Sequence, residues 1–131
     1  MTPGTLVLDC EGLSRAILQT PELTAWLAAA EAEDLRVVVS VATLVEVSHP
    51  RLNRARYEWT LSRLNVEPVT REIARDAAQL LAAAGLHGHK HAIDAMVCAT
   101  ALGLPGPVTV LTSDVGDIAA ISQNRLRIVK I

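Results

Sequence analysis

Short apolar runs alternate with longer stretches whose apolar residues recur at helical spacing. Thr5 to Leu8 is a β-like tetrad that runs into Asp9; Gly12 then punctuates the chain, and a helix follows through about Gln19. Thr20, Pro21 and Glu22 read as a helix start, with Thr20 as N-cap and proline at the first helical position. Leu23, Trp26, Leu27 and Ala30 then form the buried stripe of a helix reaching about Glu33. Arg36 to Val39 is a second apolar strand, and Ser40 is placed to cap a helix from Val41 to about Ser48, stopped by His49 and Pro50. Val66 to Val69 reads as a third strand, which Pro68 assigns to a sheet edge. Thr70 caps a helix that continues to about Ala84 and ends at Gly85. Leu86 to Lys90 reads as a loop and His91 to Leu102 as a helix, before Gly103, Pro105, Gly106 and Pro107 turn the chain into a β-branched run from Val108. A last helix from about Val115 to Ile121 and a strand from Leu126 to Val129 complete the pattern. Strand and helix in alternation predict a three-layer α/β/α sandwich with a mostly parallel sheet of about five strands.

At 131 residues, 50% of them hydrophobic, the chain is expected to form one domain spanning 1–131. It has no basic N-terminal region with an apolar stretch and cleavage site, and no apolar run of the ~18 residues that span a bilayer, so a cytoplasmic protein without membrane contact is expected. A net charge of −2 argues against a broad basic surface and restricts any nucleic-acid contact to a local patch. Arg51, Arg54, Arg56 and Arg63, with Tyr57 and Trp59 between them, are the candidate patch. Guanidinium forks suit phosphate and aromatic faces stack on unpaired bases, although ordinary solvated helices carry the same pattern. Cys10 and Cys98 lie in apolar segments without metal-ligand or redox spacing and read as buried free thiols. His87 and His89 do not share a helical face and no cysteine joins them, which argues against a structural zinc site.

What changes the picture is a set of isolated carboxylates. Asp9 is the only charged side chain among the first ten residues, Glu46 the only one from Val37 to Pro50, and Asp94 the only one between Lys90 and Asp114. An ionised carboxylate in apolar surroundings is costly unless it is paired or bound to a metal. The helix carrying Glu46 is therefore expected to be embedded, with Glu46 pointing into something that needs a carboxylate; a buried pair with an arginine is the alternative. Asp94 has Val97, Cys98 and Ala101 at helical spacing, none of which neutralises it. The run from Val108 empties into Thr112, Ser113, Asp114 and Asp117, where Asp114 or Ser113 also serves as a natural helix cap. Glu11 is read as a first-turn acid that favours the helix dipole.

Asp9 and Asp114 fall at strand ends, where open parallel sheets bind ligands, and Glu46 and Asp94 fall on helices that can flank the same edge. Carboxylates brought together take up protons or recruit cations. With oxygen-only ligands the expected ion is Mg²⁺ or Mn²⁺, bound through Asp9, Asp94 and Asp114. Such a centre suits phosphodiester hydrolysis and lets an acidic protein engage a polyanion.

At these positions the chain resembles a known family. Leu6 to Asp9, Thr43-Leu44-Val45-Glu46, Ala92-Ile93-Asp94-Ala95 with Ala99-Thr100-Ala101, and Leu111-Thr112-Ser113-Asp114 with Asp117 look like the four acidic motifs of PIN-domain ribonucleases. The likeness covers nearly the whole chain; no single motif is specific, whereas the ordered set of four is. Within that family the chain is most similar to the small stand-alone toxins of VapBC toxin–antitoxin modules. The resemblance implies metal-dependent endoribonuclease activity on structured RNA such as tRNA or rRNA, homodimerisation, and inhibition by a cognate antitoxin. Carried over by position, Asp9, Glu46, Asp94 and Asp114 form the acidic site, with Asp117 an alternative or additional fourth member and Thr112 or Ser113 supporting through hydrogen bonds. One departure is Cys10, where family members commonly carry Thr or Ser after the first aspartate; a thiol is the poorer hydrogen-bond partner.

Other classes fit less well. A phospho-receiver domain leaves Glu46 and Asp94 unexplained and needs a late lysine less terminal than Lys130, while a haloacid-dehalogenase-like phosphatase needs an aspartate where Glu11 stands. The remaining alternative is a catalytically inactive PIN-like module that binds RNA or protein without cutting.

Overall fold

A computed structural model describes residues 4–131. The strands are β1 (Thr5–Leu8), β2 (Arg36–Ser40), β3 (Asn65–Glu67), β4 (Val108–Thr112) and β5 (Arg127–Lys130). The helices are α1 (Cys10–Leu18), α2 (Pro21–Ala32), α3 (Val41–Val47), α4 (Arg54–Ser62), α5 (Arg71–Ala84), α6 (Gly88–Leu102) and α7 (Val115–Ser122). All four strand pairings are parallel and the sheet order is β3-β2-β1-β4-β5. The expected three-layer sandwich is therefore present, with Pro68 just beyond an edge strand as its missing N–H requires.

Two-residue alternation along the strands builds both layers of core. Val7, Val38 and Val110 pack with Leu80, Ala95, Cys98 and Ile118 from α5, α6 and α7. Leu6, Leu8, Val39 and Leu111 pack with Leu13, Ile17, Leu23 and Ala30 from α1 and α2. The division follows from right-handed crossovers: the chain moves one way through β1, β2 and β3, then crosses back to β4 and β5, so its helices change face. That reversal makes the β1–β4 boundary the topological switch point of the sheet.

Local chemistry fixes most boundaries. Thr20, Ser40 and Thr70 accept hydrogen bonds from Leu23, Ala42 and Ile73 at the starts of α2, α3 and α5. Gly85, in the left-handed region at φ 69°, closes α5.

Three expectations need correction. Helix α1 starts at Cys10, before Gly12, because Asp9 itself caps it. Gly12 serves close packing instead: a Cβ there would lie 3.2 Å from Leu8 Cβ and 3.3 Å from the Leu111 carbonyl oxygen. Helix α6 starts at Gly88, with His87 at the N-cap and part of the expected loop wound into the helix. Finally, α3 is not embedded: Val41 is 39% and Val45 76% exposed. Its scarcity of charge reflects apolar residues left on the surface as well as buried ones.

Candidate metal centre at the sheet switch point

The site begins with strand register. Leu8 of β1 pairs with Leu111 of β4, so Asp9 emerges beside Thr112 at the carboxyl edge of the sheet. The Asp9 backbone N–H donates to the Leu111 carbonyl at 3.3 Å. Asp9 is only 8% exposed, and its Oδ1 accepts the Gly12 N–H at 2.9 Å. Burial raises its pKa; the Thr112 hydroxyl and the Gly12 N–H oppose the rise, while the Glu11 charge adds to it. Glu11 itself turns away to Arg15, at 2.8 Å.

Thr112 is fully buried and holds both strand ends together. Its hydroxyl oxygen accepts the Asp114 N–H at 2.9 Å while lying beside Asp9. Ser113 is exposed and its side chain makes no hydrogen bond among the described residues, whereas the Thr112 hydroxyl bonds within the cluster. Asp114 caps α7, its Oδ1 accepting the Asp117 N–H at 3.3 Å. The capping role and a place at the acidic edge are therefore compatible.

Glu46 is exposed on α3, within reach of Cys10 and Asp9. Partial shielding of its carboxyl raises its pKa, the Cys10 thiol opposes the rise by hydrogen bonding, and Asp9 adds repulsion. No arginine pairs with Glu46 among the described residues, which removes the buried-pair alternative. Burial first, and then the charges of Glu46 and Asp9, push the Cys10 thiol up to about 12, so it stands as a neutral S–H donor.

Asp94 ties the cluster together. It lies half-buried in the first half of α6, and its pKa rises from 3.8 to about 6. Burial is the largest cause, followed by the charges of Glu46, Asp114, Asp117 and Asp9. The other four carboxylates singled out in the sequence thus all lie near enough to Asp94 for their charges to act on it. Beneath it, Cys98 lies one turn further along α6 with its thiol 3.8 Å from the Ile118 carbonyl, fixing α6 against α7.

The sequence reading missed His91. It is 8% exposed, and its Nδ1 lies 3.5 Å from Asp117 Oδ2. Its spacing of three residues before Asp94 places both on one face of α6, a signal obscured by the neighbouring His87 and His89. His91, Asp94 and Asp117 each offer a ligand atom, all within 4.8 Å of one another, close enough to hold a metal ion. This donor set fits a divalent cation, and the surrounding carboxylates supply the opposing charge.

Arg51, Arg54 and Arg56 are exposed around the start of α4 and pair with no carboxylate among the described residues. Arg54 lies over the Tyr57 ring at 5.7 Å, while Arg63 lies over Trp59 at 5.2 Å and 3.8 Å from Glu31. Among the described residues, no salt bridge joins these arginines to Asp9, Glu46, Asp94, Asp114 or Asp117. Cys98 is buried and Cys10 half-buried, and both are free. No described helix is long and apolar enough to cross a membrane.

No family model matches the chain, and no curated protein matches its sequence. Solved structures do share its fold. One is VapBC2 from Rickettsia felis bound to a DNA fragment from its promoter; a chain of it aligns with TM-score 0.72 and 17% identity, over 97% of this chain and 98% of that one. Another is FitAcB from Neisseria gonorrhoeae, with TM-score 0.60 and 21% identity, over 94% of this chain and 95% of that one. At such identities the likeness is one of fold.

Proposed function

We propose that this chain is a metal-dependent endoribonuclease and the toxin of a toxin–antitoxin pair, acting on structured RNA such as tRNA or rRNA. The observation that carries the reading is the convergence of Asp9, Glu46, Asp94, Asp114 and Asp117 at the sheet switch point, with no lysine or arginine paired to them among the described residues. A fold needs no such cluster, because each carboxylate raises the cost of ionising the others. A centre that recruits Mg²⁺ or Mn²⁺ does need it.

When bound, the cation would polarise a water and stabilise charge on the scissile phosphate. Asp9, Asp94 and the Asp114–Asp117 pair would hold it, with Glu46 adding negative charge beside Asp9 and Asp94. Thr112 keeps Asp9 and Asp114 in register, and Arg51, Arg54 and Arg56 offer forks for flanking phosphates. The fold shared with a VapBC2 chain supports an antitoxin partner, since the sequence independently resembles VapBC toxins. Exposed Val45 and Trp59 are apolar surface available to that partner or to a second copy of the chain.

The test is incubation of the partner-free protein with a total-RNA pool, with Mg²⁺ or Mn²⁺ and with EDTA. Metal-dependent cutting at few sites is expected. A folded protein that cuts nothing in either metal turns the reading towards a binding module.

A further inference from the structure

Magnesium and manganese share carboxylate ligands but differ in their acceptance of nitrogen: Mg²⁺ favours oxygen, whereas Mn²⁺ and later divalent metals accept imidazole more readily. The ligands therefore carry information about the ion. The carboxylates alone do not decide between the two; His91 does.

His91 is held rather than free. It is buried where α6 meets α7, and its Nδ1 is 3.5 Å from Asp117 Oδ2. Asp94, one turn further along α6, brings a third ligand atom, with all three inside 4.8 Å. Around an octahedral ion with bonds of about 2.1 Å, adjacent donors lie about 3 Å apart and opposite donors about 4.2 Å. The His91–Asp117 separation of 3.5 Å lies between those two distances, and closing the 4.8 Å group onto one ion takes inward shifts of the three side chains. A His91–Asp117 pair serving solely to join α6 to α7 would leave Asp94 in the same pocket with repulsion and no partner.

Building on the metal-dependent reading of the cleft, we infer that His91 is a direct ligand and that, with Asp94 and Asp117, it makes this a centre selective for Mn²⁺ over Mg²⁺. Asp9 and Glu46 complete the acidic surroundings on the α1 and α3 side. The backbone of α7 positions Asp117 through the Asp114 cap.

The experiment uses the full chain, freed of any partner and loaded with Mn²⁺. Electron spin-echo envelope modulation should show a ¹⁴N nucleus coordinated to the manganese, and the coupling should vanish in His91→Gln. Calorimetric titration should give Mn²⁺ binding at least about tenfold tighter than Mg²⁺. In His91→Gln, Mn²⁺ affinity should fall about tenfold while Mg²⁺ affinity stays within about twofold. Absence of nitrogen coupling in the wild-type protein overturns the assignment, as does equal weakening of both ions in the variant. If the variant does not fold, the wild-type spectrum decides alone. Nitrogen coupling in a protein that cuts no RNA sinks the nuclease reading and leaves His91 a ligand; RNA cutting without nitrogen coupling does the reverse.

Discussion

Replacing Asp94 with asparagine should stabilise the metal-free protein at neutral pH. The carboxyl sits among four others, and its pKa rises from 3.8 to about 6, mainly through burial and then through Glu46, Asp114, Asp117 and Asp9. For a fully enclosed group that rise corresponds to at most about 3 kcal/mol. Water screens a half-buried carboxyl, which brings the figure to about 1–2 kcal/mol. The sign follows from linkage. Because the folded pKa is the higher one, the folded state holds the proton more tightly, and the associated stability is complete below about pH 4. It is lost as pH rises towards and through about 6, where ionised Asp94 opposes folding in full. Asparagine keeps the shape without the charge, and Asp94 accepts no hydrogen bond from the described residues that the amide would forfeit. Thermal unfolding in EDTA at pH 7.5 should therefore show Asp94→Asn about 5 °C above wild type, with the gap closing near pH 4. Saturating Mn²⁺ should reverse the order, since a ligand at 100 times its Kd adds about 2.7 kcal/mol to the protein that binds it. An asparagine variant no more stable than wild type at pH 7.5, or one with the same margin at pH 4, would refute this account of the cleft.

Two further substitutions test how the site is held. Gly12→Ala should cost about 1–2 kcal/mol in urea unfolding despite alanine's better helix propensity, because its Cβ would press on Leu8 Cβ at 3.2 Å and the Leu111 carbonyl at 3.3 Å, both fixed in the sheet; an unchanged midpoint would contradict it. Thr112→Val keeps the shape but leaves the Asp114 N–H without its acceptor and Asp9 without a hydroxyl neighbour. The expected loss is about 1–2 kcal/mol of stability and about tenfold in Mn²⁺ affinity by calorimetry, and wild-type affinity would show that Thr112 does not organise the centre.

The elements most legible in the sequence were those with their own chemical punctuation. Thr20-Pro21 and Thr70 announce α2 and α5, and Gly85 announces where α5 stops, because capping acts within one turn. The start of α6 was hidden, since His87 makes no side-chain cap bond and Gly88 is a poor helix former. The exposure of Val45 was equally illegible: composition records how apolar a helix is, while burial depends on what packs against it. The five carboxylates stood out because each interrupts an apolar stretch. Their convergence rests on the strand order β3-β2-β1-β4-β5, a long-range pairing that alternation of elements does not specify. His91 needed that same tertiary information, because its partner Asp117 lies on another helix.

The most direct test of the central claim compares purified, partner-free wild-type protein with Asp94→Asn on one RNA pool, in Mn²⁺ and in EDTA, and determines the chemistry of the new ends. The account predicts cutting by the wild type alone, only with metal, and no 2′,3′-cyclic phosphate, since the attacking oxygen is water's rather than a ribose hydroxyl's. Equal cutting by Asp94→Asn, or cutting that persists in EDTA, would contradict it.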